Sequence, residues 1–271
     1  MHTPKHAKDD TTGKYRKRAR ETGLKSNWVE DLVVDRTGEV KTEQNHPVYA
    51  AMVDSVDENL GRLLDALDDK GVSDNTVVIL TSDHGGLSTR GIGNRRELAT
   101  TNLPYRHGKG WLYEGGTRVP LLVRWPGKVR AGHVSSVQVT GTDHFRTILD
   151  LAGVPVGDAN PEDSVSYLSA LAGKEDQRPP IFWHSSLGRP AQTGDTRSSA
   201  VVNGDWKLIQ WYSLENDGIV ETQLFNLADD PGERRDLSSE EPAKRHQLES
   251  LLDAWKAEVN ARLGEFKPGG V

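Results

Sequence analysis

Asn75 to Gly86 reads NTVVILTSDHGG, and the reading of this stretch decides the fold. Thr76, Val77, Val78, Ile79, Leu80 and Thr81 form a β-branched run that stops at Asp83-His84 and two glycines. A continuous apolar run of this length, bounded by turn residues, suits a strand buried on both faces in the middle of an α/β sheet. Such sheets bind ligands in the crevice beyond the carboxyl ends of their strands, where Asp83 and His84 would sit. The glycine pair allows a sharp turn and close approach of a ligand. An acid and an imidazole side by side there suggest a metal or catalytic site. The alternative is Asp83 capping a turn with His84 packed, and spacing alone does not separate the two.

Working outward, His46-Pro47 opens an amphipathic helix. Tyr49, Val53, Val56, Leu60, Leu63 and Leu67 alternate in steps of four and three, one face of a 3.6-residue period. Pro47 suits the first turn and Gly71 the C-terminal cap. Helix, short turn and the 76–81 strand make an α/β unit. Upstream, residues 1–45 are polar, with a basic run from Lys14 to Arg20 that reads as a solvated helix face. Downstream, residues 87–108 lack periodicity and form a long loop of the functional or mobile kind. They lead through Lys109-Gly110-Trp111 and Glu114-Gly115-Gly116 into a second apolar strand, Val119–Trp125. A helix follows over Asp143–Ala152, closed by Gly153 and Pro155.

Beyond about residue 175 the pattern changes. Ser199–Val202 and Asp205–Tyr212 flank Asn203-Gly204, a hairpin signal, and an extended piece covers Thr222–Leu227. Ser238 with Glu241 reads as a capping box for a last helix whose apolar face is Leu248, Leu251, Leu252, Trp255 and Val259. The expected division is therefore 1–175, an α/β domain, and 176–271, an antiparallel sheet with a helix.

Composition narrows the function. The 271 residues are 35% hydrophobic and 27% charged, without an apolar run long enough for a membrane span. A net charge of −6 disfavours a nucleic-acid partner. Cysteine is absent, which excludes disulfides, thiolate metal sites and a cysteine nucleophile within these residues. The first ten residues, MHTPKHAKDD, carry no apolar core of a signal peptide and open no strand. They read either as a polar tail or as a start in the middle of a larger fold.

Several motifs, in order, carry a family resemblance: His2-Thr3-Pro4, HPVYAAMVDSVDENLGRLLDAL, NTVVILTSDHGG, GKGWLYEGGTRVPLLVRWPG, TDHFRTILDLAGVP, GDWKLI and LFNLADDPGERRDL. Together they resemble the C-terminal half of type I sulfatases, the arylsulfatase group of the alkaline-phosphatase-like superfamily. The resemblance implies an α/β fold with a mixed sheet flanked by helices, present in part, and a small C-terminal α+β unit. It implies hydrolysis of sulfuric ester (or sulfamate) bonds with a divalent metal, usually Ca2+, with Zn2+ or Mg2+ as alternatives. It also implies a formylglycine made from Cys or Ser in a Cys/Ser-x-Pro-x-Arg motif, and that motif is absent here.

The same resemblance implies roles residue by residue. Asp83 matches a metal ligand, a hard oxygen donor suited to calcium. His84 matches the adjacent ligand, although an imidazole suits zinc better. Lys109 matches a lysine on the sulfate, where a fixed ammonium would stabilise developing negative charge. His2 matches the histidine that would protonate the leaving oxygen, and His184 lies where relatives form the substrate rim. His107 matches no fixed family position and is expected to be a loop histidine. Arg118 is expected in a structural ion pair. The tryptophans are expected in the core, with Trp111 a candidate substrate platform because it neighbours Lys109.

The partners implied are a sulfated small molecule or carbohydrate and an N-terminal half. The family is commonly periplasmic or secreted, and no signal peptide lies in this chain. Two other readings stay open: a zinc-dependent phosphatase or phosphodiesterase of the same superfamily, and a truncated, non-catalytic remnant.

Overall fold

The computed structural model describes residues 5–24, 30–157, 163–174 and 176–264. They divide into two compact units that interleave along the chain. One comprises residues 1–65, 84–119 and 182–271; the other comprises 66–83 and 120–181.

In the first unit, α1 (Asp9–Glu21) presents the basic run to solvent, with Asp9 and Asp10 in its first turn and Arg18 and Arg20 in its last. That arrangement complements the helix dipole. Lys14 and Tyr15 reach Asp54 on α2 (Pro47–Asp69). Between them β1 (Leu32–Asp35) and β2 (Gly38–Lys41) form a hairpin, and β2 also pairs with β4 (Thr89–Gly91). The sequence reading passed over all three strands. Arg36 at φ 53 marks the turn of the hairpin.

The core of this unit is a four-stranded sheet in the order β6 (Ile181–Ser185), β7 (Ser198–Asn203), β8 (Trp206–Tyr212), β9 (Ile219–Asn226). The β7–β8 register closes on Asn203 opposite Trp206, so the two-residue loop is Gly204-Asp205, one position beyond the expected Asn203-Gly204. Side chains on successive strand positions point to opposite faces. Ala200, Val202, Ile209, Trp211 and Phe225 pack on one face with Trp111, Leu112 and Tyr113. Val201, Leu208 and Leu224 pack on the other with Leu248 and Leu252 of α6 (Pro242–Glu258). Val259, expected on the apolar face of α6, is exposed just past its end. The helix starts at Pro242, whose fixed φ and missing N–H suit a first turn. Glu241 stands at the cap without a side-chain cap bond, so the Ser238/Glu241 capping box does not form. The Ser238 N–H instead donates to Asp236.

In the second unit, β3 (Val78–Thr81) pairs antiparallel with β5 (Leu121–Arg124), and this two-stranded ladder is all that is built on the 76–81 run. Among the described residues β3 is therefore not a central strand buried on both faces. Its residues are half-buried or exposed because one neighbour covers one edge only. Helix α4 (Asp143–Ala152) has the expected bounds, and Gly153 at φ 66 caps it. Asp143 is a buried hub there, accepting from the Thr140 and Val165 N–H groups and from Arg178.

Candidate functional site

Three glycine-bearing segments of the first unit lie against one another: 84–86, 106–110 and 114–116. The Gly85 N–H donates to the Gly116 carbonyl at 3.0 Å, and the Lys109 N–H donates to the Gly86 carbonyl at 3.1 Å. A Cβ at Gly85 would run into the Gly115 carbonyl, and one at Gly108 into the Gly86 carbonyl and Ser88 Oγ. Glycine is needed at both positions because backbone fills the space of a side chain. Asn102 Nδ2 ties the first two together from outside, donating to the carbonyls of Gly86 and His107 at 2.9 Å each. This packing sets the Lys109 backbone directly against the turn that follows His84.

His84 Nδ1 lies 2.8 Å from the Gly85 carbonyl. A carbonyl only accepts, so Nδ1 carries the proton in this contact. Asp83 is exposed, and Lys109 is half-buried. A carboxylate and an imidazole are both donor types that divalent cations accept. No group of three or more His, Asp or Glu able to hold a metal occurs among the described residues, and calcium takes about six to eight oxygens. His2 lies outside the described residues.

His184 is not brought to this cluster. On β6 it alternates with Trp183, so Trp183 packs with the Trp111–Tyr113 face and His184 points to the face covered by α6. Its Nδ1 accepts from Ser199 Oγ at 2.8 Å and its Nε2–H donates to the Arg262 carbonyl at 2.9 Å. It borders an open cavity of about 530 Å³ with Tyr212, Lys256 and Arg262, on the side of the sheet away from the Lys109 segment. Trp111 is not a platform either. It is buried, and its Nε1–H donates to the Thr193 carbonyl. Arg118 pairs with Glu114 at 3.7 Å and lies over the Tyr105 ring.

His107 lies in the expected loop, but its side chain is buried. Its ring lies tilted against Trp111 and stacks on Tyr113, with centroids 3.9 and 5.1 Å away, and its Nε2 meets Asp35 Oδ2 at 2.9 Å. Burial pushes its pKa down, against the pull of Asp35. Burial alone would raise the Asp35 pKa, but the hydrogen bonds from His107 and Arg106 outweigh it and hold that carboxyl well below the usual range. Beside this cluster lies a charged triad that the sequence reading missed. Lys207 Nζ sits 2.8 Å from Glu114 Oε1 and 3.0 Å from Glu233 Oε1, and Lys207 and Glu233 are fully buried. One signal was available. Lys207 shares the strand face of Ile209 and Trp211, so a lysine at the inward phase of a buried strand demanded buried partners.

The sulfatase family profile matches residues 1–154, and that described as N-sulphoglucosamine sulphohydrolase, C-terminal, matches residues 106–258. A sulfatase of Formosa agariphila is 31% identical over 240 residues, covering 80% of this chain and 40% of its own length. Among solved structures, Ps i-CgsB in complex with k-i-k-neocarrahexaose superposes at a TM-score of 0.70 with 26% identity, over 94% of this chain and 47% of its own. A protein solved in complex with its substrate, D-glucosamine-2-N,6-O-disulfate, has a TM-score of 0.60 and 29% identity, over 78% of this chain and 40% of its own. The chain thus spans about 40% of the length of the curated relative it matches. The fold these neighbours share is the alkaline-phosphatase-like one. By the match over its first 154 residues and the identity along most of its length, this chain belongs to the sulfatase family.

Proposed function

We propose that the chain supplies one part of a sulfuric ester hydrolase site. Asp83 and His84 would give two ligands to a divalent cation, with calcium first in order and zinc or magnesium behind it. Lys109 would hold a sulfate oxygen. His2 would protonate the leaving oxygen. The observation that carries the reading is the backbone apposition of Lys109 to the His84-Gly85-Gly86 turn. When bound, a divalent cation supplies charge neutralisation at the reacting oxygens. The chain's own contribution is a fixed ammonium placed where negative charge develops, which needs no reorganisation during the reaction. His184 is left out of this site because it faces the other side of its sheet. The substrate class favoured is a sulfated carbohydrate, since the disulfated glucosamine and the neocarrahexaose are the ligands of two similar structures.

The nucleophile must come from elsewhere, because these residues hold neither cysteine nor a Ser-x-Pro-x-Arg sequence. The 271-residue chain by itself is therefore inactive, and an N-terminal half is its functional partner. Incubating it with 4-nitrocatechol sulfate and calcium should give background hydrolysis; turnover above background would overturn the reading.

A further inference from the structure

We infer that the buried triad Glu114–Lys207–Glu233 is a positioning device for the Lys109 and His84 loops, an inference that rests on the site assignment above. Three observations carry it. The first is cost. One ammonium and two carboxylates are taken fully or almost fully out of water, which apolar side chains of similar volume would do more cheaply. The second is backbone conformation. Glu233 sits at φ 53, a left-handed region that non-glycine residues seldom adopt, and held there it uses both its ends. Its Oε2 accepts the Glu114 N–H at 2.6 Å, and its carbonyl accepts from Arg106 Nη1 at 3.1 Å.

The third is where those bonds lead. Arg106 and Glu114 bracket the Lys109 segment, and the Arg106 carbonyl accepts the Gly115 N–H at 2.9 Å. Gly116 in turn accepts the Gly85 N–H next to His84, and Gly86 accepts the Lys109 N–H. A continuous run of hydrogen bonds thus joins Lys207 on β8 to both loops. The central sheet fixes Lys207, Lys207 fixes the two carboxylates, and the carboxylates fix the glycine turn on which the loops rest. Burial, only partly offset by Lys207, pushes the Glu233 carboxyl up to about 7, so a neutral amide reproduces one of its two states.

Amide hydrogen exchange on the full 271-residue chain tests this without any need for turnover. Glu233→Leu should speed exchange in segments 84–86 and 106–116 by about tenfold or more, while strands Ser198–Asn203 and Trp206–Tyr212 keep their protection. Glu233→Gln, which keeps an acceptor for the Glu114 N–H, should stay within about twofold of the parent. If Glu233→Leu does not fold, Glu114→Gln serves in its place and should speed the same segments by about threefold. Unchanged exchange at these segments, or equal loosening of the sheet, would overturn the inference. Failure of the hydrolase reading would show separately, as no sulfate-ester cleavage when a formylglycine-bearing partner is supplied.

Discussion

Two apolar regions of the chain differ in what covers them. The sheet β6–β9 alternates its side chains, and each face is packed: one by Trp111 and Tyr113, the other by Leu248 and Leu252. Helix α2 carries an apolar face in sequence, and strand β3 is an apolar run. Yet Val53, Val56 and Leu63 of α2 are exposed, and among the described residues β3 has β5 as its one partner. The sheet carries its own cover. Helix α2 and strand β3 bear apolar faces that the described residues do not bury. Burial of a large aliphatic side chain is worth about 1.5–3 kcal/mol, so the stability of this chain resides in the first region and little of it in the second.

Substitutions can break that contrast. The largest effect is expected at Lys207→Met, which leaves two buried carboxylates without a counter-charge and should cost about 3–5 kcal/mol in urea unfolding. The loss should be smaller at pH 5 than at pH 8, because Glu233 accepts a proton within that range. Leu252→Ala, in the packed face under α6, should cost about 2–5 kcal/mol. Leu63→Ala on α2 should stay within about 0.5 kcal/mol, as for an exposed position. Equal costs at the two leucines would erase the distinction.

A smaller effect sharpens it through pH. Burial holds His107 neutral among Asp35, Arg106 and Arg36, so the unfolded chain binds a proton at higher pH than the folded one. The stability it contributes is complete above the ordinary histidine value, ~6.5, and is lost as pH falls below it. Glu233, facing Lys207 and Glu114, has the opposite sign. Its contribution is complete below the unfolded carboxyl value of 4.5 and is lost as pH rises towards about 7. The two slopes oppose one another between these values. Glu233→Gln removes one of them, so the variant should lose about 1 kcal/mol per pH unit more than the parent on acidification from pH 7 to 5. Parallel profiles in urea titrations would contradict this.

Periodicity made the helices and the C-terminal sheet legible. The four-three spacing from Tyr49 to Leu67 placed α2 within a residue or two, and the turn signal at Asn203-Gly204 placed the hairpin one position early. The covering of β3 was not legible. An apolar run states that it needs neighbours, not that the same residues supply them. The β1–β2 hairpin was missed because its strands are four residues each, too short for alternation to stand out from a polar segment. Asp83 and His84 stood out in the sequence through the glycine pair that follows them and Lys109 through the family resemblance, and backbone contact at Gly85 and Gly108 is the reason for those glycines. His184 was named from the resemblance alone, and no periodicity in the sequence told which face of its strand it takes; it lies on the face opposite Trp183. The triad and the His107–Asp35 pair escaped because the Glu114–Lys207 and Asp35–His107 contacts each join residues more than seventy positions apart.

Lys109 and the His84 turn are proposed as part of a sulfate-ester site completed by a formylglycine-bearing segment. The direct test is 4-nitrocatechol sulfate turnover by the 271-residue chain combined with the matured N-terminal half of a sulfatase, in calcium, for the parent and for Lys109→Ala. The account predicts turnover for the parent and a loss of about 10²–10³-fold for the variant, the size expected for removing one electrostatic stabiliser. Turnover that is unchanged by Lys109→Ala would contradict it.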